Sequence, residues 1–472
     1  MSRLLVGVGV LLVLAAAGGA AAGERAPTGT WVGRYTLGGT GELALTVSGN
    51  RAFVALGVGH AGLQPVRLVT SGARLRFQVP GRPSALVFDG AVSGVRLAGT
   101  VRQGSLRGTF TARPGTAPGL VARGLYRAGG GLDAVVDDPY GPARLVDLDS
   151  GKVRALYPAG AAFSIGSGFA TRTPVTAGAR FGTGAALIDG RQAPRLAVRQ
   201  LEVQFESGGT RLAGTLSIPP GAGRHAAAVF VHGSGPTQRA YLPELAALLL
   251  RHGVAVLVYD KRGIGQSAGT YPGESPTAGS IDTLARDAAA AARFLVAQPE
   301  IDRARVGLTG HSQAGWIAPL AASREPAIRF LLLFSGPAVT ADENDLYQDL
   351  AGQGERQATL SDAAIDAQVL KRGPGGVDPI PSIRKLTIPV LWVYGGKDTF
   401  VPPRLSERRL APIAAEPARD FTVVDFPHAN HALVETTTGL TSEMLRSDTF
   451  APGLFASVGA WLRSRHLAAP VR

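Results

Sequence analysis

The sequence predicts two architectures in series: small all-β modules, then an α/β unit with a mostly parallel sheet flanked by helices. Three observations carry this. Residues 27–114 read as short alternating strands between turns. After residue 200, continuous apolar runs such as Ala226–Val231 and Val254–Tyr259 alternate with helical patterns, as expected of strands buried on both faces. Within that half, Gly310-His311-Ser312-Gln313-Ala314-Gly315 lies between an apolar run and Trp316-Ile317-Ala318-Pro319-Leu320. Strand, sharp turn and helix form the setting of a nucleophile elbow.

The bulk numbers fit this reading. A chain of 472 residues has room for two or three domains. At 45% hydrophobic and 18% charged it is globular rather than disordered. Its 63 glycines and 32 prolines suit a turn-rich β portion. The formal charge is +13, mostly from arginine, but no run of five like charges occurs. The basic residues are spread along the chain, so no nucleic-acid partner is expected. A general affinity for anionic cell-wall polymers or membranes stays open. The absence of cysteine excludes disulfides, thiolate catalysis, Cys-ligated zinc, iron–sulfur clusters and a lipobox.

Arg3, the uncharged apolar stretch from Leu4 to Ala17 and the small residues Ala20-Ala21-Ala22 make residues 1–22 a signal peptide, cut near Ala22–Gly23. The mature chain is therefore expected to be secreted or periplasmic, with no stable membrane insertion after cleavage. Substrates that depend on coenzyme A or ATP become implausible there.

In the β module at 27–114, a sandwich or barrel, Glu42–Val47 alternates. Ser48-Gly49-Asn50 turns the chain into Ala52–Leu56. Arg74–Val79 puts Leu75, Phe77 and Val79 on one face and charge on the other. Ser84–Phe88, Val95–Val101 and Leu106–Phe110 continue the series, and Trp31 and Tyr35 are placed to plug one end. Residues 115–200 form a second β module or a linker. Arg144–Leu148 and Val153–Tyr157 make a hairpin there, and the Gly- and Thr-rich stretch from Ala159 to Ala186 is strand or irregular connection. Residues 27–114 show no cluster of titratable groups.

The α/β unit spans 201–469. Leu201–Phe205 and Leu212–Ile218 open it as a hairpin, and Tyr241–Arg251 is helical. Ser280 suits the N-cap of a helix reaching Val296. Ile328–Phe334, Pro389–Tyr394 and Phe421–Phe426 are strands, and Phe455, Val458, Trp461 and Leu462 share the buried face of a last helix. Residues 339–386 have the length of a small helical cap.

Three stretches join Ser312 as candidates for chemistry. Val231-His232-Gly233-Ser234-Gly235-Pro236 follows a buried strand, and a glycine-rich turn leaves backbone N–H groups free. The N–H groups of Ser234 and Gln313 are placed to form an oxyanion hole. Asp398, in Tyr394-Gly395-Gly396-Lys397-Asp398, sits at a strand tip, where a carboxylate orients a histidine. Of the eight histidines, His428 and His431 alone follow Asp398 on a loop before the last helix. Gly263-Ile264-Gly265-Gln266-Ser267-Ala268 imitates a dinucleotide fingerprint. Asp260-Lys261-Arg262 separate it from its strand, so a loop fixed by Asp260 and Arg262 is expected instead.

Residues 200–469 resemble α/β-hydrolases of the prolyl-oligopeptidase and dienelactone-hydrolase branch. The resemblance rests on His232–Pro236, Tyr259–Ser267, Gly310–Gly315, Gly395–Asp398 and Asn430-His431, in that order. It implies Ser312 as nucleophile, Asp398 as orienting acid, His431 rather than His428 as base, and Ser234 and Gln313 as oxyanion donors. The front half is too short for the seven-bladed propeller of prolyl oligopeptidases. The expectation is a serine hydrolase of carboxylesterase type that acts on a small-molecule ester and needs no cofactor or metal. Trp316, Tyr271 and Phe400 are candidates to line the acyl pocket. The alternatives are a peptidase or amidase with the same triad, and an envelope polymer-binding protein with an inert hydrolase half.

Overall fold

The computed structural model describes residues 29–471, apart from 38–39, 49–50, 57–63, 67, 80–84, 115–122, 137–142, 160–161, 170–176, 240–241, 418 and 445–446. The export segment at 1–22, the turn at Gly49-Asn50 and the start of the strand at Ser84 lie outside the described residues.

The described strands form three sheets. In the first, Gly29–Thr36 pairs antiparallel with both Thr40–Ser48 and Leu106–Pro114. The two strands at the ends of its pairing order, Gln64–Val66 and Leu68–Ser71, are neighbours in the chain, so the sheet curls into a barrel. Period-two alternation points Leu75, Phe77 and Val79 inward. There Phe88 stacks on Phe77 at 4.7 Å and meets Phe110 edge-on at 5.3 Å. Trp31 is buried in this core, and Tyr35 packs edge-on against Phe88.

The second sheet is an antiparallel meander from Gly124 to Pro194. The stretch around Ala162–Ser167 and Ala185–Ile188 is strand despite its glycines. Leu196 N–H donates to the Leu125 carbonyl at 2.8 Å and Tyr126 bridges Arg195, so the last strand returns to the first. Alternation divides this barrel's side chains between two cores. Tyr126, Val135 and Leu145 point into the barrel. Leu125, Ala134, Val136 and Val146 point outward onto helices Pro243–Arg251 and Leu454–Ser464 of the α/β half. Arg144 pairs with the buried Glu244 at 2.6 Å across that junction, and Arg251 pairs with Asp149 at 2.6 Å.

The third sheet runs in the order Arg199–Ser207, Thr210–Ile218, Ala255–Tyr259, His225–Val231, Ile301–His311, Leu331–Phe334, Val390–Gly395, Phe421–Phe426. The first two strands are antiparallel and the rest are parallel. Along His225–Val231 the side chains alternate between cores. Ala227, Val229 and Val231 join helices Ala278–Val296 and Ala314–Ala322, whereas Ala226, Ala228 and Phe230 face the other side. Burial on both faces is why these strands read as unbroken apolar runs.

Two boundaries differ from expectation. The long helix starts at Ala278, and its cap is Thr277, whose side chain accepts from the Ser280 N–H; Ser280 lies in the first turn. The first helix starts at Pro243, where a proline without an N–H fits the opening turn.

Candidate active site

The chain moves from His225–Val231 to one side of the sheet and then returns to Ile301–His311 on the other. Such a switch point opens a crevice at the carboxyl ends of the strands. Val231 and Gly310 are partners in register, which sets the His232–Pro236 turn beside the elbow.

Ser312 has φ of 56°, the left-handed region that a non-glycine residue enters only under strain. Its N–H donates to Phe334 O at 3.0 Å, which fixes the turn from the neighbouring strand. A Cβ at position 310 would stand 2.5 Å from the Ala314 methyl, and one at 315 would stand 2.5 Å from the Pro337 nitrogen. The small residues of this motif are thus steric requirements. Gln313 is buried and opens the helix Ala314–Ala322, so its N–H is among the donors that have no partner within the helix.

Asp398 follows Val390–Gly395 and is 1% exposed. One carboxylate oxygen accepts from the N–H groups of Phe400 at 2.7 Å and Val401 at 2.9 Å. The other meets His431 Nδ1 at 2.7 Å. Tyr347, from helix Ala341–Ala351, donates its hydroxyl to the Asp398 carbonyl at 2.6 Å. Asn430 Oδ1 accepts from the N–H groups of Ala432 and Val434, shaping the loop around His431. His428 is exposed, away from this arrangement.

Sequence reasoning missed His311. Its Nε2 bonds the His431 carbonyl at 2.7 Å, and its ring lies 4.5 Å from the His431 ring. Burial, followed by the His431 charge, pushes His311 down to about 3. It is therefore neutral, and Nε2 must carry the proton to donate to a carbonyl. The elbow and the histidine loop are joined through this one ring.

Lys261, part of the Tyr259–Ser267 stretch, has a role that the sequence did not assign to it. It is 1% exposed, and its Nζ donates to the Gly233 carbonyl at 2.7 Å and the Gly235 carbonyl at 2.9 Å. The Gly233 carbonyl shares a planar trans peptide with the Ser234 N–H, so anchoring one turns the other the opposite way. Burial pushes Lys261 down to about 7. His232, buried against Tyr259, is pushed down to about 3 by burial and then by Lys261. The neighbouring loop is held as its sequence suggested. Asp260 accepts from Arg239 and the Gln266 N–H, and Arg262 pairs with the buried Asp287.

Of the aromatic candidates, Phe400 lies 5.0 Å from the His431 ring. Tyr271 lies under the Lys261 ammonium. Trp316 does not line a pocket: it is 4% exposed in the core and donates its indole N–H to Val339 O at 2.9 Å. Helices Ala341–Ala351 and Asp362–Arg372 share a separate apolar cluster with Leu405, and Arg404 pairs with Asp362 and Asp366. Among the described residues no group of three or more His, Asp or Glu side chains is placed to hold a metal ion.

The family described as "Serine aminopeptidase, S33" matches residues 222–372. An uncharacterized protein of Mycobacterium tuberculosis is 32% identical over 231 residues, covering 48% of this chain and 71% of the relative. The chain belongs to the α/β-hydrolase superfamily. Esterase EstD of Thermotoga maritima is 26% identical over 251 residues, covering 47% of this chain and 58% of the esterase. Among solved structures, an esterase of Pyrococcus furiosus has 18% identity and a TM-score of 0.40 over 57% of this chain and 91% of its own. This α/β-hydrolase is thus a member of a hydrolase family with esterase relatives, and its front half is strand-rich.

Proposed function

We propose that this α/β-hydrolase is an exported serine esterase. Ser312 is the nucleophile, His431 the base, Asp398 its orienting acid, and the Ser234 and Gln313 N–H groups the oxyanion donors. The observation that carries the reading is the 2.7 Å bond from His431 Nδ1 to the buried Asp398, on a loop tied to the residue before Ser312. With Nδ1–H committed to Asp398, Nε2 is the basic nitrogen. Ser312 Oγ attacks the acyl carbon and its proton passes to Nε2. The tetrahedral oxyanion collapses, the C–O bond to the alcohol breaks, and Nε2 returns the proton to the departing alkoxide. Water, deprotonated by the same nitrogen, then frees the acyl group as a carboxylic acid. Export rests on the charge and hydropathy pattern of residues 1–22.

A peptidase or amidase reading is supported by the family match, since its description names an aminopeptidase. Turnover of p-nitrophenyl acyl esters beside aminoacyl p-nitroanilides separates the two. Ester turnover and fluorophosphonate labelling, both abolished in Ser312→Ala, are the expected results. Anilide turnover exceeding ester turnover would favour the second reading. An unlabelled wild type would remove both.

A further inference from the structure

We propose that the outer wall of the first barrel docks a linear, base-free polyanion, a polymer with closely spaced phosphate or carboxylate groups. The inference begins with an uneven distribution of charge. Residues 27–114 hold ten arginines, no lysine, and only Glu42 and Asp89 as carboxylates. Residues 115–472 hold 36 basic and 32 acidic side chains. Basic residues are about equally dense in the two parts, roughly one in nine and one in ten; it is the carboxylates that residues 27–114 lack, so there the arginines go unbalanced.

The fold then places seven of these arginines on five consecutive strands. Strands Arg74–Val79, Leu86–Ser93, Arg96–Gln103, Leu106–Pro114 and Gly29–Thr36 are consecutive neighbours in the barrel. Because Leu75, Phe77, Leu97, Val101, Phe110 and Ala112 point inward, the alternate residues form the wall. Arg34, Arg74, Arg76, Arg96, Arg102, Arg107 and Arg113 occupy it, and all seven are exposed. The side chains between them are mainly small, among them Ala91, Ala98, Thr100, Thr109 and Thr111. Asp89, opposite Arg76, is the one carboxylate among the outward residues of these five strands.

These cations are placed against one another. Arg102 and Arg107 are direct partners across two strands, an arrangement in which like charges repel. Among the described residues, none of the seven arginines holds a carboxylate, whereas Arg144, Arg154, Arg239, Arg262 and Arg404 each do. An array of exposed, mutually repelling guanidinium groups gains most from a ligand that brings several negative charges at once.

The wall also selects the kind of ligand. It presents no aromatic ring on which a base could stack, which disfavours single-stranded nucleic acid. Its exposed large apolar residues are Val95 at 71%, Val69 at 58%, opposite Arg76, and Leu106 at 51%. Val95 and Leu106 belong to successive hairpins and hence to opposite ends of the barrel. One membrane plane cannot take all three.

The test uses the full chain, with inorganic polyphosphate and polygalacturonate as probes; the stronger of the two identifies the preferred charge group. Binding to at least one polymer is expected, weakening about tenfold or more between about 50 and 200 mM salt as counterion release requires. The variant Arg74→Gln/Arg76→Gln/Arg102→Gln/Arg107→Gln should bind at least tenfold more weakly with ester turnover and melting temperature kept. A control with four arginines changed elsewhere, Arg286→Gln/Arg293→Gln/Arg303→Gln/Arg324→Gln, should bind within about twofold of the wild type. The proposal is overturned if neither polymer binds at low salt, if both variants lose binding equally, or if phosphatidylglycerol vesicles bind the chain and the polymers do not.

Discussion

The two barrels share one construction and differ in where their outward residues go. Both are antiparallel meanders whose last strand returns toward the first, and both fill their interiors with apolar side chains. On the second, the outward residues are Leu125, Ala134, Val136 and Val146, and they continue the core of the catalytic half. On the first, they are arginines and threonines, and its core contains no residue of the other two sheets. Backbone pairing widens the contrast. Val153 N–H donates to Asp448 O at 2.7 Å, and Phe450 N–H donates to Gly151 O at 2.9 Å. Phe450 is bridged to Val434, three residues past His431. The second barrel therefore supports the histidine loop, while the first is a separate surface. Every second residue of a strand settles which of these roles a barrel takes.

Truncation breaks this comparison most sharply. A chain beginning at residue 123 should stay soluble and hydrolyse p-nitrophenyl esters within about twofold of the full chain. One beginning at residue 199 should aggregate, because the faces of Leu245, Leu248 and Leu249 lose their cover. Equal behaviour of the two would erase the distinction. Next in size is the junction ion pair. Glu244→Ala leaves Arg144 without its carboxylate at a mostly buried position and should cost about 3 kcal/mol in denaturant unfolding. Arg102→Gln on the first barrel should cost nothing measurable or stabilise slightly.

Acid should separate the regions as well. His232 and His311 are pushed by burial to about 3 in the folded chain, below the ordinary histidine value. Between the folded and unfolded values the unfolded chain binds protons that the native chain does not. Stability is therefore lost as pH falls through about 6.5, by about 2 kcal/mol for each histidine at pH 5. The first barrel has no histidine among its described residues. Thermal unfolding followed from pH 7.5 to 5 should show the catalytic half weakening first, and His311→Asn should reduce that slope.

The smallest effect concerns two kinds of cation. Lys261→Met should lower kcat about tenfold, near 1.4 kcal/mol, with KM changed little, because it releases the peptide that carries the Ser234 N–H. The wall arginines should leave kcat untouched. A Lys261→Met variant with wild-type kcat would remove the anchoring role.

The catalytic sheet was legible because strands buried on both sides are apolar without interruption, and because the elbow tolerates few residues on either side of its serine. Asp398 was legible from its place at a strand end; the same argument left His428 and His431 both open, and only the resemblance chose His431, whose ring lies 2.7 Å from that carboxylate. Barrel closure was not, since pairing Leu125 with Leu196 is a contact between distant residues that local alternation does not encode. The strands between Ala162 and Ile188 were obscured by glycines, which carry no alternation signal. Nor were His311 and Lys261 legible in their roles: each acts through a backbone carbonyl, and a carbonyl leaves no mark in a sequence. Trp316 was misplaced because an aromatic side chain reads alike whether it faces a substrate or a core.

A side-chain carbon at position 310 would meet two neighbours, the Ala314 methyl at 2.5 Å and the Val231 carbonyl oxygen at 2.7 Å. Substitution can trim the first. The second is main chain of the adjoining strand and stays whatever residue stands at 231. An evolving lineage therefore has no second-site route to alanine at 310: Gly310→Ala should be lost in any selection for activity, and Ala314→Gly should not rescue it.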